Sequence, residues 1–529
     1  MGVAVRAAYC CRRVLPRRWA VNHILTFVCG TLRVLPMDTF FTLTDRLRPS
    51  RSIPSECLIP VQSFSSIHPV ISFRNSTQGA MRGTLISHQR DSLVMEVYNP
   101  DALVQVSEML HGLTVRSGAH TVYQGKAVVV SLVNTGLMVV VSVNLMDPWN
   151  DVGPMPPGTA AVGLAASSFV QDWKSRFTVR RDYQVVVSEM RAYFSEVARW
   201  VDQLDVAASL PREADGRIQP EVFAALGTPL LHKGREYLQW FDAEAALVPE
   251  DLVPMHRSFA QAAIHPLILR APFVHRTFSK PMGYAGDYEM VNQIVGDPRQ
   301  GPSSYFQLVN FMFLQAGVAQ AHRNRIDILQ ARLEQLAVQA VQAGRPMRVL
   351  NIGCGPALEI QRLVRQSPHF DRLEFVLVDF SEETLAYTRH TLEALQQGTG
   401  KPLHLKMQHE SVNQLLKRAT QAQPLAEAEK FDYVYCAGLF DYLTDKVCHR
   451  LVQYMARQSR AGARLLVTNV HSSNPERRWM EHFLEWHLVY RDEAGMQRIL
   501  PPGLRETQVY TDATGVNIFV ESTVDSPAQ

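Results

Sequence analysis

A glycine-rich turn is the first feature of the sequence that suggests a ligand site. Residues 349–357 read VLNIGCGPA, a branched apolar run that leads through Gly353, Cys354 and Gly355 into a helical pattern. Glycine lets the backbone approach a ligand closely, and the first N–H groups of the following helix have no partner inside it. A dinucleotide fingerprint needs a third glycine at position 358, where this chain has Leu358. The turn therefore predicts a small-ligand site and disfavours a dinucleotide.

Further candidate residues follow the next three strands in chain order. They are Asp379 and Phe380 after the second strand, Glu410 and Ser411 after the third, and Ala437 and Gly438 after the fourth. Together with VLNIGCGPA, this set resembles motif I and the later motifs of class I S-adenosyl-L-methionine (SAM) methyltransferases. The resemblance implies that SAM is the cofactor and that Asn351, Gly353, Cys354 and Gly355 contact it. Asn351 stands where this family usually has an acid, and Ala357 stands where a glycine is common.

The resemblance gives the residues after the second strand distinct roles. Asp379 is expected to accept hydrogen bonds from both ribose hydroxyls, and Phe380 is expected to pack on the adenine. A segment ahead of motif I often covers the cofactor in this fold, so Tyr284 and Asp287 are further candidate contacts. For Asp287, the alternative is a helix N-cap in a glycine-rich turn.

Two segments resemble a narrower family. Residues 278–291 (FSKPMGYAGDYEMV) and 486–492 (WHLVYRD) look like signatures of bacterial extracellular factor synthases, which make 3-hydroxypalmitic acid methyl ester for quorum sensing. The resemblance covers roughly residues 155–529. It implies SAM-dependent methyl esterification of a 3-hydroxy fatty acid, free or carrier-bound, and the helical insert before motif I suits an acyl chain that needs an apolar tunnel.

Such a reaction needs alignment more than acid–base chemistry. A fatty carboxylate is already ionised at neutral pH, so we expect donors that orient it in a site that excludes water. The candidate orienting residues are Tyr284, His471, His487, Tyr490 and Arg491. Two alternatives stay open: methylation of another small-molecule acceptor, and a signalling module that binds SAM or a lipid without turnover.

The first part of the chain indicates a small β-barrel at 61–150. The 20 uncharged residues 127–146 are long enough for a membrane span, but valine runs around Asn134 and Gly136 favour a β-hairpin. A helix is expected around Leu103–Leu110. The segment resembles a degenerate PilZ domain, but Arg74 and Arg82 are too far apart for the nucleotide-binding motif, so no nucleotide binding is predicted.

The rest of the chain predicts an α/β fold behind a helical region. Residues 159–346 show helical periodicity, and 347–529 alternate strands with helices before a hairpin around Asp512–Gly515. We therefore expect a Rossmann-like methyltransferase sheet with a terminal antiparallel hairpin, preceded by a helical insert and the small barrel. Residues 1–60 are expected to be a basic tail and lead-in.

Charge and cysteine usage exclude several classes. The net charge of +3 over 529 residues disfavours a dedicated nucleic-acid binder. The seven cysteines show no CxxC or Cys/His spacing, so neither a metal site nor a disulfide framework is expected. We expect a cytoplasmic protein without a transmembrane span, and a homodimer stays open.

Overall fold

The structure, a computed structural model, covers most of the chain after the lead-in. It describes residues 69–75, 79–89, 91–97, 104–117, 120–134, 139–149, 162–164, 166–167, 170–171, 179–421 and 425–525. All of these lie in one compact unit, Ser65–Gln529. The expectations for the basic tail and for the turn residues of the 127–146 hairpin lie outside the described residues.

Six strands close into a barrel with its own apolar core. The strands are β1 (Val70–Arg74), β2 (Ala80–His88), β3 (Ser92–Val97), β4 (Met109–Ser117), β5 (His120–Asn134) and β6 (Val139–Leu145), in the order β1-β2-β3-β6-β5-β4. Alternate residues such as Ile71, Met95 and Val129 point inward and are buried, as period-2 patterning requires. The uncharged run 127–146 supplies β5 and β6, which pair antiparallel. The hairpin prediction is confirmed, and no helix among the described residues is long and apolar enough to cross a membrane.

The prediction of a helix around Leu103–Leu110 is wrong. Val104 and Val106 are buried without helical structure, and β4 begins at Met109. Ser107 has a φ of 65°, a left-handed conformation that no helix interior accepts. Its N–H donates to the carbonyl of Val129 at 2.7 Å, so the apolar spacing that suggested a helix instead anchors an irregular loop on β5.

Seven α-helices lie between residues 181 and 343. They are α1 (Arg181–Val206), α2 (Pro220–Ala246), α3 (Val253–Ile268), α4 (Pro272–Ser279), α5 (Tyr288–Val295), α6 (Ser304–Leu314) and α7 (Gly317–Ala343). Helix α1 buries one apolar face, with Val186, Met190 and Val201 in the shared core. Helix α7 ends at Gly344, whose φ of 65° is a left-handed cap that glycine adopts without strain.

A seven-stranded sheet completes the fold. Its strands are β7 (Met347–Ile352), β8 (Leu373–Asp379), β9 (His404–His409), β10 (Phe431–Cys436), β11 (Ser459–Val470), β12 (Leu504–Thr511) and β13 (Asn517–Val524). Helices α8 (Leu358–Gln366), α9 (Glu382–Thr399), α10 (Val412–Gln421) and α11 (Asp445–Gln458) connect the parallel strands, and α12 (Arg477–Phe483) and α13 (Glu493–Arg498) follow β11.

The strand order of this sheet places the ligand site. The order is β12-β13-β11-β10-β7-β8-β9, with β13 antiparallel to β11 and β12 antiparallel to β13. The predicted Rossmann-like sheet with a terminal antiparallel hairpin is confirmed. The strand order reverses beside β7, because β8 and β9 lie on one side of it and β10 and β11 lie on the other. Ligands of such sheets bind at the carboxyl ends of the strands beside this reversal.

Candidate functional site

The glycine turn forms the floor of a cavity of about 360 Å³ at the carboxyl ends of the parallel strands. Gly353 and Gly355 have φ angles of 70° and 51°, which explains why glycine stands at both positions. The N–H groups of Gly353 and Cys354 both donate to the carbonyl of Val378 on β8, which holds the turn against the neighbouring strand. Ala357 also has a positive φ, 49°, so the alanine found in place of glycine keeps the conformation at a cost of about 1 kcal/mol.

Asp379 stands at the end of β8, where the sequence places the ribose contact. Its carboxylate accepts the N–H of Gly355 at 3.1 Å and the N–H of Ser381 at 3.0 Å. Burial raises the pKa of Asp379, and these N–H groups oppose that rise by favouring the carboxylate. Phe380 lies beside it, and the ring of Tyr284 packs 5.1 Å from the Phe380 ring, so the loop before α5 reaches over the cofactor site.

A buried carboxylate compensates for the asparagine in motif I. The Nδ2 of Asn351 donates to Glu359 Oε1 at 3.2 Å and to the Tyr435 hydroxyl at 3.0 Å. The Tyr435 hydroxyl donates to the same Glu359 oxygen at 2.7 Å. Burial raises the pKa of Glu359, while the Tyr435 hydrogen bond favours its charged form. Helix α8 thus supplies, from Glu359, the acid that the strand itself lacks.

Arg325 brings an unpaired positive charge to the same cavity. It projects from α7, and its Nη1 is buried without a hydrogen-bond partner among the described residues. Gly438 leaves room for it, because a Cβ there would lie 3.0 Å from Nη1. Burial lowers the pKa of Arg325, yet a guanidinium stays protonated at neutral pH.

These residues fit the cofactor that the sequence implies. Arg325 and Glu359 offer opposite charges, which suit the carboxylate and ammonium of the methionine part of SAM. Asp379 suits the ribose hydroxyls, and Phe380 with Tyr284 suits the adenine. An orphaned buried guanidinium nitrogen is the observation that most directly calls for an anionic ligand group.

Tyr442 and Trp486 line another part of the cavity. Trp486 Nε1 donates to the Tyr442 hydroxyl at 3.0 Å, and the hydroxyl has no acceptor for its own proton among the described residues. Gly286 makes room for it, because a Cβ there would lie 2.6 Å from the hydroxyl oxygen. Burial raises the pKa of Tyr442, so it remains a donor at neutral pH. His322 lies nearby as a neutral ring, since burial lowers its pKa to about 3.

Most of the cofactor residues expected from the sequence line this cavity. They are Tyr284, Asn351, Gly353, Cys354, Gly355, Asp379, Phe380, Glu410, Ser411, Ala437 and Gly438. Asp287 does not. Its side chain pairs with Arg276 at 2.7 Å and accepts the N–H of Met290 at 2.9 Å, so it caps α5 between two cavity residues, Gly286 and Tyr288.

Four of the five expected orienting residues lie outside the cavity lining, and Tyr284 alone lines it. His471 contacts Ser473 and Glu493 at the edge of the sheet, and His487 contacts Glu485 at 3.1 Å. The Tyr490 ring lies under the Arg477 guanidinium. The structure therefore does not bring these side chains together around a substrate.

Arg491 acts on the cavity through its neighbours. Its guanidinium donates to the carbonyls of Phe440 and Leu443 at 2.8 and 2.6 Å, and to Asn469 Oδ1 at 2.6 Å. These bonds clamp the short 3₁₀ turn Phe440–Tyr442 onto the end of β11. Arg491 is thus placed to position the Tyr442 hydroxyl.

Among the residues that line the cavity, sequence reasoning did not single out Arg325, Glu359 or Tyr442. A signal existed for Tyr442, because it follows the fourth parallel strand by only six residues, and strand ends carry the site in this fold. Glu359 lies in the first turn of α8, a favourable place for an acid whether or not it binds a ligand. Arg325 carries no such mark, since it is one of several arginines on a long helix.

The comparisons with known proteins agree with this geometry. Residues 349–462 match the sequence profile of the family described as a methyltransferase domain. This segment is therefore similar to methyltransferase domains. SAM is the cofactor that this match supports, and the residues that line the cavity fit it. No curated protein sequence matches the chain.

Several solved structures resemble parts of the chain. A possible exported protein from Bordetella parapertussis is 13% identical, with 67% of this chain and 99% of that one covered and a TM-score of 0.35. Magnesium protoporphyrin IX methyltransferase from Synechocystis with bound SAH is 13% identical, covering 39% and 87% at a TM-score of 0.28. The N-methyltransferase NodS from Bradyrhizobium japonicum is 15% identical, covering 37% and 97% at a TM-score of 0.25. At these values, none of the likenesses bears on the substrate.

Proposed function

We propose that this methyltransferase esterifies the carboxyl group of a 3-hydroxy fatty acid. When bound, SAM supplies an electrophilic methyl group on a sulfonium. A carboxylate oxygen of the acid forms the new bond to that methyl carbon, the carbon–sulfur bond breaks, and the sulfur keeps the electron pair. The products are the methyl ester and S-adenosylhomocysteine. The carboxylate is ionised beforehand, so the protein needs to orient it and to exclude water.

The observation that carries this proposal is the free donor of Tyr442 in an apolar setting. Its hydroxyl proton has no acceptor among the described residues, and Trp486 holds the oxygen in place. Val470, Trp486 and Leu488 also line the cavity and are buried. A donor with apolar walls suits a carboxylate that is followed by a hydrocarbon chain.

The helical region contributes apolar surface to the same cavity. Val291 of α5 and Ile326 and Leu329 of α7 line it, beside the neutral ring of His322. This agrees with the expectation that the insert before motif I serves an acyl chain. The donor and the apolar walls together support an acid with a hydrocarbon chain over a substrate that is polar throughout.

The product suggests where the protein acts. A methyl ester has lost the charge of its acid and partitions into membranes more readily, which suits a signal that leaves the cell. The resemblance to extracellular factor synthases supports a role in quorum sensing and a cytoplasmic site of synthesis.

The decisive experiment follows the methyl label. The full chain is incubated with methyl-labelled SAM and 3-hydroxypalmitate, and the label is followed into an organic extract. We expect a labelled ester. Label on the protein itself, or on a water-soluble product when cell extract is supplied as acceptor, would exclude fatty-acid esterification.

One observation favours a second acceptor class. Asp441 lines the cavity, and burial raises its pKa to about 6, so it is an ionised base at neutral pH within reach of the site. Such a base would serve a hydroxyl or amine acceptor. In that case the rate would rise with pH through about 6, and Asp441→Asn would abolish transfer. Esterification of a carboxylate predicts no requirement for this base.

A further inference from the structure

The N-terminal barrel forms part of the wall of the methyltransferase cavity. Asn75, Gly79, Ala80 and Met81, at the turn between β1 and β2, line the cavity together with Gln105 from the loop before β4. Both segments belong to the same end of the barrel, because Arg74 pairs with His111 across β1 and β4. The cavity is therefore built by the barrel as well as by the sheet and the helices.

Hydrogen bonds hold this end of the barrel to the rest of the site. The N–H of Met109 donates to the carbonyl of Gly283, next to Tyr284, at 2.7 Å. The Ser107 hydroxyl donates to the carbonyl of Glu485 and accepts the N–H of His487, each at 3.2 Å. Ser107 is fully buried, so the contact excludes water. The loop that carries Gln105 is thus held by hydrogen bonds to the residues immediately before and after Trp486.

Gln105 presents an unused amide to the cavity. Its backbone N–H donates to Glu108 Oε2 at 2.6 Å, which fixes the backbone at this residue. Its side-chain amide makes no hydrogen bond among the described residues, although the side chain is half-buried. Met81, nearly fully buried, lines the same wall and offers apolar surface. One polar group beside apolar surface suits a substrate with a single polar substituent on a hydrocarbon chain.

We propose that the barrel is a substrate-recognition element in which the Gln105 amide binds the hydroxyl group of the acyl substrate. A carboxamide both donates and accepts, which matches a hydroxyl, and it carries no charge that would repel or retain the carboxylate. This inference rests on the proposed function, because it assigns the contact for the substituent that distinguishes a 3-hydroxy acid from a plain fatty acid. The barrel thereby sets specificity, while Tyr442 serves the reacting carboxylate.

The test compares a hydroxylated and a plain acid of equal length. The full chain, saturated with S-adenosylhomocysteine, is titrated calorimetrically with 3-hydroxypalmitate and with palmitate below their micellar concentrations. We expect the native protein to bind the hydroxy acid about tenfold more tightly, and Gln105→Leu to bind both acids equally. Gln124→Leu, an exposed residue on β5 of the same barrel, is the matched control and should keep the preference.

The outcomes separate this proposal from the proposed function. Suppose that the native protein makes the labelled ester, but Gln105→Leu still prefers the hydroxy acid or binds both acids more weakly by the same factor. Then the role proposed for the barrel is wrong, and the proposal of esterification stands. If Gln105→Leu instead weakens the binding of S-adenosylhomocysteine, the barrel residues contact the cofactor, and the proposed role of the barrel is also wrong. If the native protein neither binds the acids nor makes the ester, both proposals fail.

Discussion

Asn144 of the barrel donates a hydrogen bond of 3.0 Å to the carboxylate of Glu485, a residue 341 positions later in the chain. Glu485 has a φ of 49° and is almost fully buried. Both the left-handed backbone and the buried charge are unfavourable unless neighbouring groups stabilise them. The Arg257 guanidinium pairs with it at 2.8 Å, and Gln261 donates to the same oxygen. Burial opposes its ionisation, but Arg257 and His487 hold the pKa of Glu485 well below its ordinary value. The barrel and the helical region therefore both contact the carboxylate of Glu485, next to Trp486.

Replacing Glu485 by glutamine should destabilise the protein strongly. The change leaves the buried Arg257 without its counter-charge, which costs about 3–5 kcal/mol in the free energy of unfolding. Asn144→Ala should cost less, about 1–3 kcal/mol, because it leaves only one carboxylate oxygen short of a donor. Denaturant unfolding measures both, with Gln124→Ala as the barrel control. Equal stability of all three variants would show that the barrel is not coupled to the site through Glu485.

Asp379→Asn should weaken cofactor binding. The amide has one acceptor oxygen where the carboxylate has two, so the affinity for S-adenosylhomocysteine should fall roughly 10- to 100-fold. Calorimetry measures this directly. Asp371→Asn, in the 3₁₀ turn just before β8 and paired with Lys401 instead, is the control and should bind normally. An unchanged affinity in Asp379→Asn would remove this residue from the cofactor site.

Arg325→Met should weaken cofactor binding only through the loss of contacts with the amino-acid part of the cofactor. S-adenosylhomocysteine should bind about 10- to 100-fold more weakly, because its carboxylate loses a buried guanidinium. The affinity for 5′-methylthioadenosine, which lacks that carboxylate, should stay the same. Arg332→Met on the same helix, where the arginine pairs with Glu521, should change neither. A parallel loss for both ligands would mean that Arg325 shapes the cavity without binding the carboxylate.

Tyr442→Phe should slow methyl transfer about tenfold while leaving S-adenosylhomocysteine binding intact. The variant loses the donor assigned to the substrate carboxylate, a contact worth about 1–2 kcal/mol. Tyr433→Phe is a matched control, because that buried hydroxyl likewise has no acceptor among the described residues but does not line the cavity. Melting temperatures of both variants show whether the fold is preserved. Normal transfer in Tyr442→Phe would overturn its assigned role.

Lys280 should make the protein more stable as the pH rises above neutrality. Burial lowers the pKa of Lys280 to about 7, and the nearby Glu485 only partly opposes this. Between that value and the ordinary lysine pKa, the unfolded chain binds a proton that the folded one does not, so the free energy of unfolding increases with pH. Relative to Lys280→Met, the native protein should gain about 2–3 kcal/mol between pH 7 and 9. Denaturant unfolding at both pH values tests this, and the exposed Lys446→Met should follow the native pH dependence.

Much of the cofactor half of the site was predictable from the chain. The glycines at 353 and 355 must adopt left-handed backbone, and Asp379 must end a buried parallel strand, so their types and spacing place them together. The alternation of strands and helices likewise predicted the sheet and its terminal hairpin. Here local pattern and tertiary position agree because the connections of a parallel sheet bring its strand ends to one edge.

The substrate half was decided by contacts between distant segments. His471, His487 and Arg491 have suitable chemistry but bond to other protein groups, and the Tyr490 ring packs against Arg477; the sequence does not show which way each side chain points. Arg325, Tyr442 and Gln105 face the cavity only because α7, the turn after β10 and the barrel pack around it. The sequence by itself thus determined the motif, the sheet and the cofactor class. Only the tertiary structure determined which charges and donors remain unpaired, since pairing depends on neighbours that local periodicity does not encode.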